Sequence, residues 1–525
     1  MKHIIALLLL GGMTSAYGTE LDRIAADYLV LELAMGEHDP GHVDAYFGPD
    51  NYREKALAAD YSLAAILGEA QRLRDVLAYG EQDDRDPARV DSLDSRLVAL
   101  QTRVRMQQGT ALPFDEESRL LFRAQVPEYD AAYFESTLQQ IDKLLPGDAP
   151  LAERVTEFRS QFVIPSDRVS AVFETALAEC RRRTLEHIEL PANERFSIEY
   201  VTDKPWGAYN WYKGDAYSLI QVNTELPQYI DHAIDLGCHE GYPGHHVYNA
   251  LLERHLVQDK GWQEFSLYPL FSPQSLLAEG SANYGVQMVF PENQRQDYEK
   301  RHLFPLAGLD PEEVDRYYRL LELRGKLEHA ITVAARHYLD GEWTAEAAQR
   351  WLVEYRLDTP EKAAQRIRFF DTYRSYVINY DYGRDLVAAW VEAGADTMAG
   401  RWERFIRLLS SPMTPADLGP QGDLPHAFEA GWQGEATCTV LHEDANNRIG
   451  HCVFPPGVGH ERHYHEPHFG YTLEGSTLEI RDAGGVRTVR TTAGGTWVTS
   501  DVTVHEALNT GETTTSYLIV EPKTQ

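Results

Sequence analysis

The chain is poor in cysteine and in positive charge, and beyond its first residues it has no long apolar run. Only 4 of its 525 residues are cysteine, too few for a fold held together by disulfides. Its 81 acidic residues outnumber 49 basic ones, which gives a formal net charge of −32. Such a surface argues against binding nucleic acid or anionic membranes, although it also serves simply to keep a protein soluble. Since no run of about eighteen uncharged apolar residues occurs, no membrane span is expected.

The first 18 residues have the pattern of a secretory signal peptide. Lys2 provides a cationic start, an apolar run follows at positions 4–10, and the small residues Ala16 and Gly18 flank Tyr17. That run is too short to anchor a protein stably in a bilayer, so cleavage after Gly18 is expected. The sequence therefore predicts a soluble, exported protein, periplasmic in a bacterial cell.

The length predicts more than one domain, because a single hydrophobic core rarely extends over so long a chain. Residues 19–411 are predicted to be mainly α-helical, since apolar residues recur with helical spacing over most of this range. The clearest stretches are 21–36, 65–78, 93–106, 135–145 and 166–188. Short strands are predicted at 198–201 and 218–223, in a small sheet that is a candidate wall of a substrate cleft.

A Pro- and Gly-containing segment, residues 412–425, predicts a linker to a second domain at 426–525. There the alternation of apolar and polar residues is typical of strands separated by turns. The predicted strands are 436–441, 452–454, 471–480, 486–491, 496–498 and 516–520. Short strands in this number suggest a small antiparallel barrel.

The four cysteines raise one question of pairing. Cys438 and Cys452 flank the turn-like residues 444–447, so they can face each other across two strands. In an oxidising compartment a disulfide is expected there, and two unpaired buried thiols remain the alternative. Cys238 has no metal-ligand spacing of its own and is interpreted as a core residue.

Residues 239–246, His-Glu-Gly-Tyr-Pro-Gly-His-His, concentrate three imidazoles and one carboxylate. Imidazole is a preferred zinc ligand, and the adjacent carboxylate of Glu240 can take a proton from a water that the metal activates. In the helical motif His-Glu-x-x-His the second imidazole lies four residues after His239, but here that position is Pro243, which interrupts a helix. The second ligand would then be His245 or His246. The alternative is a helix of buried, hydrogen-bonded histidines, which is costly at this density.

Glu279 is the predicted third zinc ligand. It lies forty residues beyond His239, on a helix that begins at Ser272-Pro273, and small residues around it allow another helix to approach closely. The alternative is a surface carboxylate near a helix start.

A tyrosine-rich segment at 373–382, accompanied by Arg366, Arg368 and Arg374, is a candidate source of an oxyanion donor. A phenol or guanidinium can stabilise the negative charge that develops when water attacks a carbonyl. Amphipathic packing of the tyrosines is the alternative.

The octapeptide resembles the signature His-Glu-x-x-Pro-Gly-His-His of a bacterial family known as domain of unknown function 885. The resemblance covers most of residues 21–395, including 36–49, the strand 222–224, the pair Glu279-Gly280, and Tyr380 with Gly383. It implies a mainly helical, zinc-peptidase-like fold.

In that resemblance His239, His245 and Glu279 would hold zinc, and His246 would lie behind the ligands, face the substrate or replace a ligand. Two departures make substrate choice less transferable than metal binding. Ser281 stands where members often carry Trp, and residues 374–376 replace the usual Pro-Gly-Gln.

The second domain resembles the cupin fold. Its first motif is matched by Gly457, His463, His465 and Gly475, and its second by Gly494, His505 and Asn509. His468 stands in the place usually held by Glu, and Ser500 and Val502 replace the customary Pro and Gly. The resemblance implies an all-β barrel in which His463, His465, His468 and His505 hold a divalent metal, or a metal-free barrel with exposed histidines.

Together these patterns predict an exported zinc-dependent hydrolase, most simply a peptidase acting on a peptide or small amide. Glu240 would act as general base and then general acid, and Tyr380 would stabilise the oxyanion. Two alternatives remain: a metal-dependent amidase or esterase for non-peptide substrates, and a non-enzymatic metal- or small-molecule-binding protein in which the cupin domain carries the function.

Overall fold

The computed structural model describes residues 19–79, 86–204, 206–225, 227–393, 395, 397–419, 424–444, 446–482, 485–499 and 502–522. The expected signal peptide, residues 1–18, lies outside them. None of the described helices combines the length and the apolar character that a bilayer crossing requires.

The region from Thr19 to about residue 419 is mainly helical, as predicted. Thr19 begins the first helix with a capping box, in which its side chain and that of Asp22 each accept a hydrogen bond from the other's backbone N–H. The helices are α1 (Glu20–His38), α2 (Asp50–Ala59), α3 (Leu63–Tyr79), α4 (Pro87–Gln107), α5 (Phe114–Phe122), α6 (Ala131–Leu144), α7 (Leu151–Ser160), α8 (Val169–Thr184), α9 (Ile230–Glu240), α10 (His245–Leu252), α11 (Pro273–Val289), α12 (Gln294–Tyr298), α13 (Phe304–Ala307), α14 (Val314–Gly325), α15 (His329–Leu339), α16 (Ala345–Trp351), α17 (Pro360–Tyr373), α18 (Asp381–Ala393) and α19 (Met398–Ser410).

Short irregular helices extend or connect these elements. Three π-helical segments continue α10, α12 and α16, at Glu253–Gln258, Glu299–Leu303 and Leu352–Arg356. Turns of 3₁₀-helix lie at Gln263–Ser266, Arg374–Asn379 and Pro415–Leu418. The last of these, capped by Thr414 and Asp417, falls within the predicted linker, of which residues 420–423 lie outside the described part.

Two small sheets lie among the helices. Their strands are β1 (Val43–Tyr46), β2 (Arg195–Val201), β3 (Ala208–Tyr212), β4 (Tyr217–Asn223) and β5 (Leu267–Pro269). β1 pairs antiparallel with β5, and the other sheet has the order β2-β4-β3, parallel between β2 and β4 and antiparallel between β3 and β4. β3, which the strand pattern did not predict, lies at the edge of this sheet and packs against α9 and α10.

Close helix packing positions the predicted ligands. α9 packs against α8 and α11, and α11 packs against α18. At Gly280 an added Cβ would lie 2.4 Å from the carbonyl oxygen of Gly383, so only glycine allows this approach. The predicted close approach to the helix carrying Glu279 is therefore confirmed.

Both cysteine pairs are disulfides. Cys438 and Cys452 are direct cross-strand neighbours with Cα atoms 4.0 Å apart, which decides the alternative left open above. The interpretation of Cys238 as an ordinary core residue is incomplete: it is buried, but it is bonded to Cys180 and so ties α9 to α8. A sequence separation of 58 residues hides this pair from any local pattern.

The C-terminal region consists of strands. They are β6 (Gly431–Trp432), β7 (Glu435–Ala436), β8 (Cys438–Glu443), β9 (Asn447–Phe454), β10 (Gly459–His465), β11 (His468–Glu474), β12 (Thr477–Asp482), β13 (Gly485–Arg490), β14 (Thr496–Thr499), β15 (Thr503–Asn509) and β16 (Thr515–Pro522). They form one sheet with the order β10-β15-β12-β13, a second with the order β14-β11-β16-β9-β8, and the hairpin β6-β7.

The strand predicted at 471–480 is wrong as a single element. It is two strands, β11 and β12, which belong to different sheets. The chain turns at Gly475, where an added Cβ would lie 2.4 Å from the carbonyl oxygen of Thr491. Because the side chains of β10 converge with those of β11 and β16, the two sheets face each other.

Candidate metal and catalytic site

The break in the octapeptide lies where the proline predicted it. α9 ends at Glu240, a cis Tyr242-Pro243 bond follows, and α10 begins at His245. Gly244 makes the turn possible, because an added Cβ there would lie 1.8 Å from the carbonyl oxygen of His239. The chain thereby brings residues from two successive helices to one point.

His239, His245 and Glu279 converge on that point. One potential ligand atom from each lies within 4.8 Å of the others. Glu279 Oε2 is 3.3 Å from His239 Nε2 and 3.7 Å from His245 Nε2. This buried oxygen makes no hydrogen bond of normal geometry, and the groups that approach it are the two imidazole nitrogens. Two imidazole nitrogens and an unsatisfied carboxylate oxygen form a donor set that fits zinc.

Three further side chains orient these groups. Asn283 Oδ1 lies 3.0 Å from His239 Nδ1, which leaves Nε2 of that ring facing the cluster. The Tyr376 hydroxyl donates a hydrogen bond of 2.8 Å to Glu279 Oε1, which leaves Oε2 as the inner oxygen. The amide of Asn283 also donates to the backbone carbonyl of Tyr380, so the same residue connects His239 to the candidate oxyanion donor. Partners of this kind fix the tautomer and orientation of metal ligands.

The charged groups of the cluster shift one another's pKa values. Burial lowers the pKa of His239, but Glu279 and Glu240 outweigh burial and raise it to about 9. Burial raises the pKa of Glu279, but His245 and His239 bring it well below its usual range. Burial, together with the nearby Glu279, raises the pKa of Glu240, although the two histidines oppose this shift. The pKa of Glu240 is therefore shifted upward, the direction that suits a carboxylate acting as general base.

His246 does not join the cluster. It is fully buried, its Nδ1 lies 2.8 Å from Ser218 Oγ, and its Nε2 lies 3.1 Å from Glu194 Oε1. Arg181 pairs with the other oxygen of Glu194 at 2.7 Å. Of the roles left open for His246, the geometry leaves only the one behind the ligands, where it joins α10 to β4.

Tyrosines form one side of the site. The Tyr380 side chain is 38% exposed, and its ring centroid lies 5.8 Å from that of Tyr376. Burial and the nearby Glu279 raise the pKa of Tyr380 well above its ordinary value, so its hydroxyl stays protonated and able to donate. The Tyr268 hydroxyl is buried without a partner and is affected by the same carboxylate. Two of the arginines considered as donors are engaged elsewhere, Arg366 with Asp358 and Arg374 with Glu117.

Asp44, on β1, is a site residue that the sequence analysis missed. Its side chain is half-buried and accepts a hydrogen bond from the Tyr209 hydroxyl of β3. Burial raises its pKa to about 7, His245 opposes that shift, and Glu279 and Glu240 add to it. The only signal in the sequence was its place within the matched stretch 36–49, two hundred residues before the octapeptide.

The C-terminal region holds a second cluster, and it differs from the predicted set of four histidines. Ligand atoms of His463, His465 and His505 converge within 4.8 Å, and the Nε2 atoms of His463 and His465 are 3.0 Å apart. Burial, reinforced by neighbouring histidines, lowers the pKa of His463 to about 2 and that of His505 to about 4. These imidazoles are thus neutral at pH 7, the form that binds metal.

His468 belongs to a different group. Its Nε2 accepts a hydrogen bond from Trp497 at 3.1 Å, and its Nδ1 lies 2.8 Å from the Glu466 carbonyl oxygen, so both ring nitrogens are engaged. It converges with His465 and with Glu521 of β16, a residue that sequence analysis missed. Glu521 Oε1 lies 3.4 Å from His465 Nδ1, and Glu521 Oε2 lies 2.9 Å from His426 Nε2. Glu521 therefore faces the side of His465 opposite to the three-histidine cluster.

Comparison with known proteins gives structural neighbours but no family. No protein-family model and no curated protein matches the chain. A cupin domain from Bordetella pertussis covers 19% of this chain and 98% of its own length, at 19% identity and a TM-score of 0.17. A provisionally assigned lipoprotein from Colwellia psychrerythraea is 12% identical over 68% of both chains, with a TM-score of 0.43. Another, of unknown function, from Shewanella oneidensis is 13% identical over 75% of this chain and 81% of its own, with a TM-score of 0.40. None of these similarities is strong enough to name a family.

Proposed function

We propose that this chain is a zinc-dependent hydrolase that acts on peptides, as a member of the domain of unknown function 885 family. One observation carries the proposal: His239, His245 and Glu279 present their ligand atoms to one another within 4.8 Å, with the inner oxygen of Glu279 buried and unsatisfied. A buried carboxylate oxygen that faces two imidazole nitrogens without a hydrogen bond of normal geometry is costly, so a cation between these groups would account for the arrangement.

The residues around this point have complementary roles in the proposed reaction. When bound, zinc would polarise the scissile carbonyl and lower the pKa of water. Glu240, next to His239 and with a raised pKa, takes the proton from the attacking water and returns it to the leaving amine. The Tyr380 hydroxyl donates a hydrogen bond to the developing oxyanion, and the Tyr376 hydroxyl keeps Glu279 oriented. The unpaired edge of β3 offers backbone groups along which an extended peptide can lie.

The same residues would hydrolyse a non-peptide amide or an ester, since the ligand set does not distinguish these substrates. The edge strand beside the cluster favours an extended peptide. Parallel assays on peptides, simple amides and esters separate these possibilities.

We propose in addition that the C-terminal region is a cupin barrel whose histidine cluster binds a second divalent metal. Convergence of His463, His465 and His505 from β10 and β15 favours this function. In a chain without hydrolytic activity, metal binding here would be the principal function.

Export to the periplasm is part of the proposal. The signal-peptide pattern of residues 1–18 is its main support, and the two disulfides agree with an oxidising compartment.

Replacement of Glu240 by Gln tests the hydrolase. The variant removes the proton acceptor and none of the zinc ligands, so we expect zinc content to be unchanged and kcat to fall by about 100- to 10,000-fold. Glu116→Gln, an exposed acid on α5, is the matched control and should leave both unchanged. Zinc is measured by elemental mass spectrometry and turnover by profiling a peptide mixture. Full activity of Glu240→Gln would refute the mechanism, and a purified chain that binds no zinc at this site would refute the proposed function.

A further inference from the structure

Asp44 is a carboxylate in the cleft that the proposed mechanism leaves without a role. It is not one of the three converging ligands, yet it is close enough to His245, Glu279 and Glu240 for their charges to affect it. Among the described residues it has no lysine, arginine or histidine ion-pair partner, and its one side-chain hydrogen bond comes from Tyr209. The residue as a whole is half-buried.

The charges of the cleft predict which end of a substrate it accepts. Glu279 lies against His239 and His245, and no lysine or arginine of the described chain forms an ion pair with Asp44, Glu240 or Glu279. When all three carboxylates are ionised and a divalent cation is bound, one negative charge is left uncompensated. The ammonium of Lys213 lies over Trp211, with its Nζ 5.1 Å from the ring centroid, and does not pair with Asp44, so the ammonium group of a substrate would complete the balance at Asp44.

The surface next to Asp44 also suits an ammonium group. Trp206, Tyr209 and Trp211 form an aromatic row, with ring centroids 5.6 and 4.7 Å apart in sequence order. Tyr209, in the middle of the row, is the residue that hydrogen-bonds Asp44. A cation beside aromatic faces gains attraction from the ring quadrupoles, in addition to its pairing with the carboxylate.

We infer that Asp44 binds the free amino group at the N-terminal end of the substrate, which makes the enzyme an exopeptidase acting from the amino terminus. This inference rests on the proposed function and narrows its substrate class. Asp44 would fix the ammonium group on the β1 side of the cleft, while the scissile carbonyl lies at the His239, His245 and Glu279 cluster. Binding of the charged end would thus determine which peptide bond reaches Glu240.

The test uses the full mature chain and short synthetic peptides with amidated C termini, each made with a free and with an acetylated N terminus. We expect the wild-type chain to hydrolyse the free-amine form about 10- to 100-fold more efficiently, as for loss of a hydrogen bond to a charged group. Asp44→Asn should remove this preference by lowering kcat/KM on free-amine peptides alone, with zinc content unchanged. Asp50→Asn, which removes an equal charge from the exposed start of α2, should keep the preference.

A binding measurement separates this inference from the hydrolase itself. Calorimetry on the zinc-loaded wild-type chain, with ketomethylene peptides that cannot be hydrolysed, should show tighter binding of the free-amine than of the acetylated form, and Asp44→Asn should equalise the two. Equal hydrolysis of both forms by the wild-type chain, or a preference for a free C-terminal carboxylate over the amide, would refute the role of Asp44. The proposed hydrolase function would still stand. Absence of hydrolysis in all forms, with zinc bound, would instead refute the proposed function.

Discussion

The two histidine clusters of this chain use the same ligand type in opposite electrostatic settings. In the helical region a carboxylate, Glu279, lies among the imidazoles, and the pKa of His239 is raised to about 9 against the effect of burial. In the C-terminal region the convergent group is three histidines, and burial lowers the pKa of His463 to about 2. Convergence alone therefore predicts metal binding, whereas the surroundings decide what a bound metal can do.

In the described chain, the helical cluster has several proton-transfer groups beside it. Glu240 follows His239 in sequence, and Tyr380 and Asp44, on other elements, are close enough for the charge of Glu279 to raise their pKa values. In the C-terminal region Glu521 lies between His426 and His465, on the side of His465 away from the three-histidine cluster. We therefore expect hydrolysis at the first cluster and metal binding alone at the second.

The largest expected effect comes from removing one ligand in each cluster. His245→Ala should lower kcat/KM by about 1,000-fold or more, because loss of the metal removes several kcal/mol of transition-state stabilisation. His463→Ala should lower the metal content of the chain by one site and leave hydrolysis intact. Peptide hydrolysis and elemental analysis of both variants check this prediction. If His463→Ala lost hydrolytic activity and His245→Ala kept it, the C-terminal cluster would be the site of hydrolysis.

A smaller effect is expected from residues that orient ligands. Tyr376→Phe removes the hydrogen bond to Glu279, and Glu521→Gln removes the charge that faces His465. Each should weaken metal binding about 10- to 100-fold at its own cluster and leave the other unchanged. Competition with a metal chelator, followed separately for the two sites, measures this. Weakening at both sites by either variant would mean that the two clusters are coupled.

Sequence reasoning identified the candidate metal ligands better than their surroundings, for a physical reason. Local spacing and the proline break indicated His239 with His245 or His246, a helix of small residues indicated Glu279, and the family resemblance favoured His245. Asp44 and Glu521 lie on strands far along the chain from the clusters that they face, and only tertiary packing brings them there. The same limit explains Cys180–Cys238.

Strand prediction failed for a related reason. Within 471–480 the alternation of side chains continues through Gly475, although the chain changes sheets at that residue. The alternation of apolar and polar residues indicates which face of a strand is buried. It does not indicate which strand is its hydrogen-bonded neighbour. The edge strand β3 was missed because most of its residues are half-buried and show no clear division into a buried and an exposed face.

Gly280→Ala tests the close helix packing that positions the cluster of the helical region, and it should not affect the C-terminal cluster. Its Cβ would overlap the Gly383 carbonyl, so α11 and α18 must separate, at a cost of about 1–3 kcal/mol of unfolding free energy. Glu279 and Tyr380 should move apart and kcat should fall, while metal binding at the C-terminal cluster stays unchanged. Gly68→Ala, in the open part of α3, is the control and should be neutral or stabilise by up to ~1 kcal/mol. An equally stable Gly280→Ala would show that this contact is not required.

The smallest effect concerns pH, where His329 gives the helical region a dependence opposite in sign to that of the C-terminal histidines. Burial lowers the pKa of His329, but hydrogen bonds to Asp381 and Asp385 outweigh burial and raise it to about 9. Its stabilising contribution is complete below the unfolded pKa of about 6.5 and is lost as pH rises towards 9, which amounts to about 1 kcal/mol between pH 7 and 8.

The pKa of Asp385 is lowered by the same pairing with His329, so it is not counted as a second contribution to the free energy of unfolding. The C-terminal histidines, with folded pKa values below 6.5, instead lose stability as pH falls through that value, because the unfolded chain binds more protons. Hydrogen exchange resolved to α15 and to β10 should therefore show protection changing in opposite directions with pH. His329→Gln should remove the alkaline loss in α15, and His302→Gln, at an exposed position, should not. If both regions weaken in the same direction, the electrostatic contrast between them is incorrect.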